Sequence, residues 1–491
     1  MFAAGAARPT ASNLNLVPGA TVPNMAIIKV GTGGMISLYN NGGNTDLIVD
    51  VLGWFPLDTD VGGSTTTSSP TTTTSPIVPG PTDLISVASS APPGNGDSVN
   101  PAVSGDGRYV AFASDASNLV ASDTLGHKDV FVRDRQAGTT KRVSVSSAGV
   151  QANANSDSPG ISADGRYVVF RSFATNLVTP ATDGLGDIFV RDTVNNVTFE
   201  VSVKLGTTTD GNGESSQPVI SADGVHVAFR STATNLDMGF NVGRTDVYKV
   251  QLSGGVVTAG VWLSQPQVAG TVGDAASPTL SANGLVAAFE STAQNLVTGD
   301  SNGKTDVFLV GYNGGGIIRA SLRGNGGQTN GNSTNPSVSG NGRIVAYQSD
   351  ANNILPTQDL NLAFSDIYIY DAAAQVTQYE SFGFNGDPTN GNSMSPAVAR
   401  DGSAIAFASD ATNLIQSDTN GQRDIFIVNI STTGKLTRAS VATGGVQAVG
   451  GASRNADLSD DGRYLVFDSA ASNLGQDANT IADVFIRDNG A

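Results

Sequence analysis

One segment recurs seven times along this chain at intervals of 58 to 60 residues, and that repetition narrows the possible folds more than any other property. In the first copy it reads PAVSGDGRYVAFASDASNL from Pro101, then KDVFVRD ending at Asp134, then TKRVSVS ending at Ser146. The opening proline returns at Pro159, Pro218, Pro278, Pro336 and Pro396, with Ala456 in the seventh copy. A second marker, the aspartate before the third apolar run, falls at Asp129, Asp187, Asp246, Asp306, Asp366, Asp424 and Asp483. Two independent markers therefore hold one register.

Within a copy the apolar runs are short, rich in Val, Ile, Phe and Tyr, and alternate with polar residues, as in Tyr109-Val110-Ala111-Phe112-Ala113-Ser114. That is the period of strands. Asp106-Gly107, Asp164-Gly165, Asn283-Gly284 and Asn341-Gly342 join the first two runs and predict two-residue hairpins. Each copy reads as four antiparallel strands, a to d. Seven such sheets packed face to face give an all-β, seven-bladed β-propeller. The seventh copy ends after strand c, while Asp83-Leu84-Ile85-Ser86-Val87-Ala88-Ser89 matches the fourth-strand sequence Lys141-Arg142-Val143-Ser144-Val145-Ser146. The N-terminal strand is expected to complete the last blade and close the ring.

The phrase P-x-[VIL]-S-x-[DN]-G-x-x-[VAIL]-[VA]-[FY], followed by D-[VI]-[FY]-[VIKL], resembles the WD40-like (PD40) repeat of the TolB propeller family over roughly 410 residues. The resemblance implies the fold; propellers of this kind serve as binding platforms, peptidase gates and enzyme scaffolds, so it implies no single activity.

Ahead of the ring, residues 1–57 read as a small β-rich module around Gly turns, resembling a module of actinobacterial secreted and surface proteins, with its start expected to be missing. Residues 58–81, with the tract Gly62 to Pro76, form a Thr/Ser/Pro linker that cannot build a core. Residues 82–491 are the propeller. The linker points to an extracellular or cell-surface setting. Met1 to Arg8 lacks the pattern of a signal peptide, and the chain is expected to begin partway into a longer gene product.

A net charge of -17 argues against a basic face for nucleic acid or anionic lipid. No run is long and apolar enough for a membrane-spanning helix, and with no cysteine neither disulfides nor thiolate metal sites arise.

In a four-stranded meander the a–b and c–d turns share one face and the b–c and d–a loops the other. The latter are longer, so a ligand site is expected on their face. Two b–c loops read D-x-N-G-x-x-D: Asp300, Asn302 and Asp306, and Asp418, Asn420 and Asp424. A hard cation such as Ca²⁺ takes six to eight oxygens, and a Gly turn can gather such side chains. Asp123 and Asp129 keep the outer carboxylates, and Asp477-Ala478-Asn479 keeps the start; Phe240 and Val242 replace oxygens in the third copy. The alternative is structural, the last Asp capping loop amides ahead of strand c. The recurring Asn-Leu pairs (Asn118-Leu119 through Asn473-Leu474) and the serines at 98, 156, 215, 333, 393 and 453 read as packing residues.

No catalytic or cofactor-binding residues are assigned. Gly299-Asp300-Ser301-Asn302-Gly303 has the letters of a nucleophile elbow but precedes a strand, and His127 and His226 lie in different copies. The expected function is a non-enzymatic binding propeller that engages a protein or glycan through the b–c and d–a loops, stiffened by Ca²⁺ in some of them. Two alternatives stand beside it: a glycan-active enzyme with acidic residues at the channel, which close buried carboxylates in one blade alone would favour, and a structural spacer. Met238-Gly239-Phe240 and Asp359 to Asp366 break the symmetry and suggest asymmetric contact with a partner.

Overall fold

The computed structural model describes residues 81–89, 92–237, 244–355, 364–430, 436–475, 477 and 479–490, together with Phe2–Ala3 paired antiparallel to Ile36–Ser37. The chain divides into Met1–Thr73 and Thr74–Ala491. The rest of the expected N-terminal module, the linker up to residue 80, and the asymmetric stretches 238–243 and 356–363 lie outside the described residues.

Seven four-stranded antiparallel sheets follow one another, each in the order a-b-c-d. Blade 1 comprises a Ser98–Val103, b Tyr109–Ser114, c Asp129–Asp134 and d Thr139–Arg142. In blade 2 these are Ser156–Ile161, Tyr167–Ser172, Asp187–Asp192 and Val197–Glu200. The seventh sheet takes three strands from the C-terminus, Ser453–Leu458, Tyr464–Ser469 and Asp483–Asp488, and its fourth from Thr82–Leu84. Leu84 stands opposite Phe485, and Ile85 N–H continues the ladder to Val484 O at 2.8 Å. The predicted closure is thus present.

The a–b turns close a second ring. Gly105 N–H donates to Ala163 O, Ala163 to Ala222 O, Asp223 to Ala282 O, Ala282 to Gly340 O, Gly340 to Arg400 O, Asp401 to Asp460 O, and Asp460 back to Gly105 O, all at 2.7–3.2 Å. One backbone bond per blade, returning to its start, counts the blades independently of the sequence.

The a–b turns differ from the two-residue hairpins expected. In blade 1, residues 104–108 separate the strands, with Asp106 Oδ1 accepting from Ser104 Oγ and Arg108 N–H. The carboxylate caps a wider turn, and Gly107 is required at its corner. Its φ is 74°, and a Cβ there would lie 2.1 Å from the Tyr464 ring of the neighbouring blade.

The core follows the alternation. Each blade buries an aromatic pair across strands b and c, from Phe112 with Phe131 at 5.8 Å to Phe229 with Tyr248 at 6.2 Å. Burying one such ring is worth about 2 kcal/mol. Sheets pack face to face, so Phe112 and Phe131 of blade 1 share a cluster with Val466, Val484 and Ile486 of blade 7. The recurring serines open strand a rather than preceding it, because the strand continues through a bulge before the proline. Ser98 Oγ meets Ser114 Oγ of strand b at 2.9 Å, and the other five pair likewise.

Candidate cation slots on the long-loop rim

Every b–c loop lies beside the preceding d–a loop. In six blades the Asn of the Asn-Leu or Asn-Ile pair does this work, by a bond other than the local one such a residue often makes; in blade 4 the backbone carbonyl of Asn295 takes its place, accepting from Gln267 and Val268 N–H. Asn118 Oδ1 accepts Asn95 N–H at 3.0 Å, and its Nδ2 donates to Pro93 O at 2.9 Å. Asn176, Asn235, Asn413 and Asn473 repeat both bonds. Leu119 and its equivalents are buried beneath. The rim is therefore a pinned layer of loops.

Below it, the aspartate that opens strand c is buried in every blade and accepts a hydrogen bond from a serine two residues beyond the end of strand d, or close to it. Asp129 Oδ1 takes Ser144 Oγ at 2.5 Å, Asp306 takes Ser321 at 2.6 Å, and Asp424 takes Ser440 at 2.5 Å. The role is structural but differs from the capping of loop amides expected, because the donor is a serine hydroxyl arriving from the strand-d side. The aspartate's second oxygen faces a slot whose other wall is the last residue of strand d.

In three blades that residue is arginine. Arg142 Nη1 lies 3.3 Å from Asp123 Oδ1 and 3.1 Å from Asp129 Oδ2. Arg319 Nη1 lies 3.3 Å from Asp300 Oδ1 and 3.5 Å from Asp306 Oδ2, and Arg438 Nη1 lies 3.0 Å from Asp418 Oδ1 and 3.2 Å from Asp424 Oδ2. The aspartates expected as Ca²⁺ ligands in blades 1, 4 and 6 thus lie in pairs around one guanidinium, which offsets one of their two charges. Asn302 and Asn420 do not present oxygen to the slot: each Oδ1 accepts a loop N–H, while each Nδ2 donates to Asp306 Oδ2 at 3.2 Å and Asp424 Oδ2 at 3.0 Å. Burial nonetheless raises the carboxyls of Asp300, Asp306 and Asp418 above the usual range.

Elsewhere the slot is filled differently. In blade 3 Trp262 ends strand d and Arg244 reaches Asp246 Oδ2 from the loop at 3.4 Å. In blade 5 Asp366 Oδ1 accepts from Tyr379 Oη, Ser381 Oγ and Thr389 Oγ1 at 2.8–3.0 Å. Blade 7 has Leu84, with Asn479 Nδ2 donating to Asp483 Oδ2 at 2.9 Å.

Blade 2 departs from all of these. Glu200 ends strand d where blades 1, 4 and 6 have arginine. Asp183 stands four residues before Asp187, the register of Asn302, Asn420 and Asn479. Asp210 occupies the position of Gln151, Gln328 and Gln447, held there by the bridge of Val203 to residue 210. One carboxylate oxygen each of Asp183, Asp187 and Asp210 lies within 4.8 Å of the others. Among the described residues no Lys or Arg forms an ion pair with any of the four acids. Burial and the neighbouring carboxylates together raise Asp187 and Glu200 far above the usual carboxylate range. Sequence reading missed this cluster, although aligning the last residue of strand d across the copies marks Glu200 as the exception.

The central channel offers no such chemistry. A cavity of ≈ 400 Å³ is lined by the residues before the six prolines and before Ala456, namely Asn100, Ser158, Gln217, Ser277, Asn335, Ser395 and Asn455, and by the prolines and Ala456 themselves. All seven have φ between 51° and 54°. That strain is held partly by bonds from the preceding blade, such as Asp468 Oδ1 accepting Asn100 N–H at 3.1 Å. His127 and His226 lie in separate blades, and His226 is lowered by burial.

No family model matches the chain, and no curated protein matches it. Among solved structures it is similar to TolB from Acinetobacter baumannii, at 17% identity over 57% of this chain and 53% of that one, with a TM-score of 0.33. A TolB protein from Agrobacterium tumefaciens is similar at 13% identity over 72% and 95%, TM-score 0.38. An oligogalacturonate lyase in complex with manganese is similar at 12% identity over 83% and 89%, TM-score 0.45. The chain spans about half the length of the Acinetobacter TolB. At these values the likenesses concern the arrangement of blades alone; what identifies the chain as a seven-bladed propeller is its own strand pairing.

Proposed function

We propose that this propeller is a non-enzymatic binding platform, working outside the cell or at its surface, that engages a protein or glycan through the b–c and d–a loops. The observation that carries the reading is the distribution of exposed apolar side chains. Leu125, Val150, Leu185, Val272, Phe384, Val446 and Val449 are all exposed in those loops, and Phe384 is the aromatic among them; on the opposite face, among the described residues, Leu285 is exposed in an a–b turn and Val194 in a c–d turn, with Val197, Val256 and Val376 where strand d opens. Large apolar side chains held out on pinned loops favour a protein partner over a glycan. The acidic net charge favours a partner with a neutral or basic contact surface. The Thr/Ser/Pro tract supports the extracellular setting.

A second reading, a glycan-active enzyme, is favoured by one observation: among the described residues blade 2 alone gathers three carboxylates within 4.8 Å of one another, with Asp187 fully buried. Against it, these acids sit by strands c and d, while the channel is lined by amides, hydroxyls and prolines. The experiment is capture of partners by the full chain, compared with a Phe384→Ser, Val446→Ser variant, alongside assay on acidic and neutral polysaccharides. Partner capture lost in the variant, with no turnover, supports the platform; polysaccharide cleavage abolished by Asp210→Asn supports the enzyme instead.

A further inference from the structure

We propose that Asp183, Asp187, Glu200 and Asp210, on the long-loop face of blade 2, form a binding site for one divalent cation, and that the ion is Ca²⁺. The inference goes beyond the binding-platform reading and does not depend on the identity of a rim partner.

In blades 4 and 6 the second oxygen of the strand-c aspartate is surrounded by donors: an arginine from strand d and an asparagine Nδ2 from the b–c loop. A glutamine from the d–a loop is bonded to loop groups close by. In blade 2 all three positions change together, asparagine to Asp183, arginine to Glu200 and glutamine to Asp210. Each change removes a donor or a positive charge and adds a carboxylate. Three independent drifts would not converge on one slot, whereas replacement of a protein cation by a bound one requires all three.

The geometry left behind points the same way. Asp187 is 0% exposed, its Oδ1 accepts from Ser202 Oγ at 3.1 Å, and its Oδ2 is buried with no hydrogen-bond partner. Asp210 Oδ1 is likewise buried and unpartnered, while Asp210 Oδ2 accepts Asp183 N–H at 2.9 Å. A fully buried carboxylate oxygen without a donor is costly unless a cation meets it. Asp183 is exposed, so an ion can enter from solvent. The donors are all carboxylates, with no imidazole or thiolate, which selects a hard cation. Four carboxylates from three separate segments supply enough oxygens for the irregular shell of Ca²⁺ and do not impose the octahedron and water shell that Mg²⁺ demands.

The test is calorimetric titration of the full chain with CaCl₂ after dialysis against a chelator, repeated with Asp210→Asn, Glu200→Gln and, as a control in an arginine-filled blade, Asp418→Asn. The expected result is one Ca²⁺ per chain, bound at least tenfold more tightly than Mg²⁺. Asp210→Asn and Glu200→Gln should each weaken it tenfold or more, and Asp418→Asn should leave it unchanged. Circular dichroism reports whether each variant is folded, and either blade 2 variant alone suffices to locate the ion. Absence of Ca²⁺ binding at millimolar concentration, meaning that the carboxyls hold protons only, overturns the site; so does binding at full strength in a folded blade 2 variant, and a preference for Mg²⁺ overturns the assignment to calcium.

Discussion

Ser86 Oγ donates to Asp483 Oδ1 at 2.5 Å across 397 residues of chain. The bond reproduces that of Ser144 to Asp129 within blade 1, so the terminal segment enters blade 7 in the register of an ordinary fourth strand. Ser86 Oγ also accepts Val484 N–H at 3.0 Å. Thr82 Oγ1 fixes the same segment to blade 6 by donating to Val441 O at 2.6 Å.

Closure by Ser86 has a measurable consequence. Ser86→Ala leaves Asp483 and Val484 N–H without their buried partner and is expected to cost about 2 kcal/mol of stability. Ser144→Ala should cost a similar amount, because it breaks the same bonds inside one continuous blade. Chemical denaturation of both variants checks this. A clearly smaller loss at Ser86 would mean that the terminal strand is not held as the others are.

The arginine slots predict a larger effect. Arg319→Leu strands two buried carboxylates, Asp300 and Asp306, and should destabilise the protein by about 3 kcal/mol. The double change Arg319→Leu, Asp300→Asn should recover part of that loss, since fewer charges remain uncompensated. Equilibrium denaturation of the four members of the cycle measures the coupling.

Stability should also depend on pH through carboxyls outside the blade 2 acid cluster. Burial holds Glu380 up at about 7 and Asp468 up at about 6. The folded state therefore keeps protons that the unfolded chain releases near pH 4, and stability falls as pH rises from about 4 to about 7. Asp134 and Asp192 act in the opposite sense. Arg108 holds Asp134 at about 2, and Arg166 with loop N–H groups brings Asp192 to about 2 against its burial. Their contribution is present above about pH 4 and is lost as pH falls through about 2. Glu380→Gln should stabilise the protein at pH 8 by on the order of 2 kcal/mol and change little at pH 4.5. Denaturation curves at the two values provide the check.

The rim account predicts that exposed apolar residues there serve binding, not folding. Phe384→Ser should leave the melting temperature within about 1 °C, because the side chain is 51% exposed, while reducing capture of a partner severalfold. A large fall in melting temperature would assign Phe384 to the fold instead.

The blades, their strand order and the closing strand were all legible in the sequence, because a proline and an aspartate recur in register and a strand's alternation is written locally. The slot was only half legible. Asp300 and Asp306 were visible as a loop pair, but Arg319, 13 residues beyond Asp306, enters from strand d, and no spacing within the loop announces it. Read alone, D-x-N-G-x-x-D resembles a cation loop; with the arginine in place, one positive charge already sits between the two aspartates. Asp210 was harder still, since only the folding back of the d–a loop at Val203 brings it beside Glu200. The wider a–b turn escaped notice because the cap by Asp106 is a side-chain bond that strand alternation does not encode.

If the acid-rich slot of blade 2 requires a compensating positive charge, then Glu200→Arg should supply to it what blades 1, 4 and 6 already have. Thermal melts of the wild-type protein and this variant, each in chelator and in excess Ca²⁺, test this directly. The wild-type protein should gain about 2 °C or more on adding Ca²⁺, whereas Glu200→Arg should melt in chelator above the wild-type protein and show no response to the ion. A variant that melts lower than the wild-type protein in chelator, or that still responds to Ca²⁺, would contradict the account.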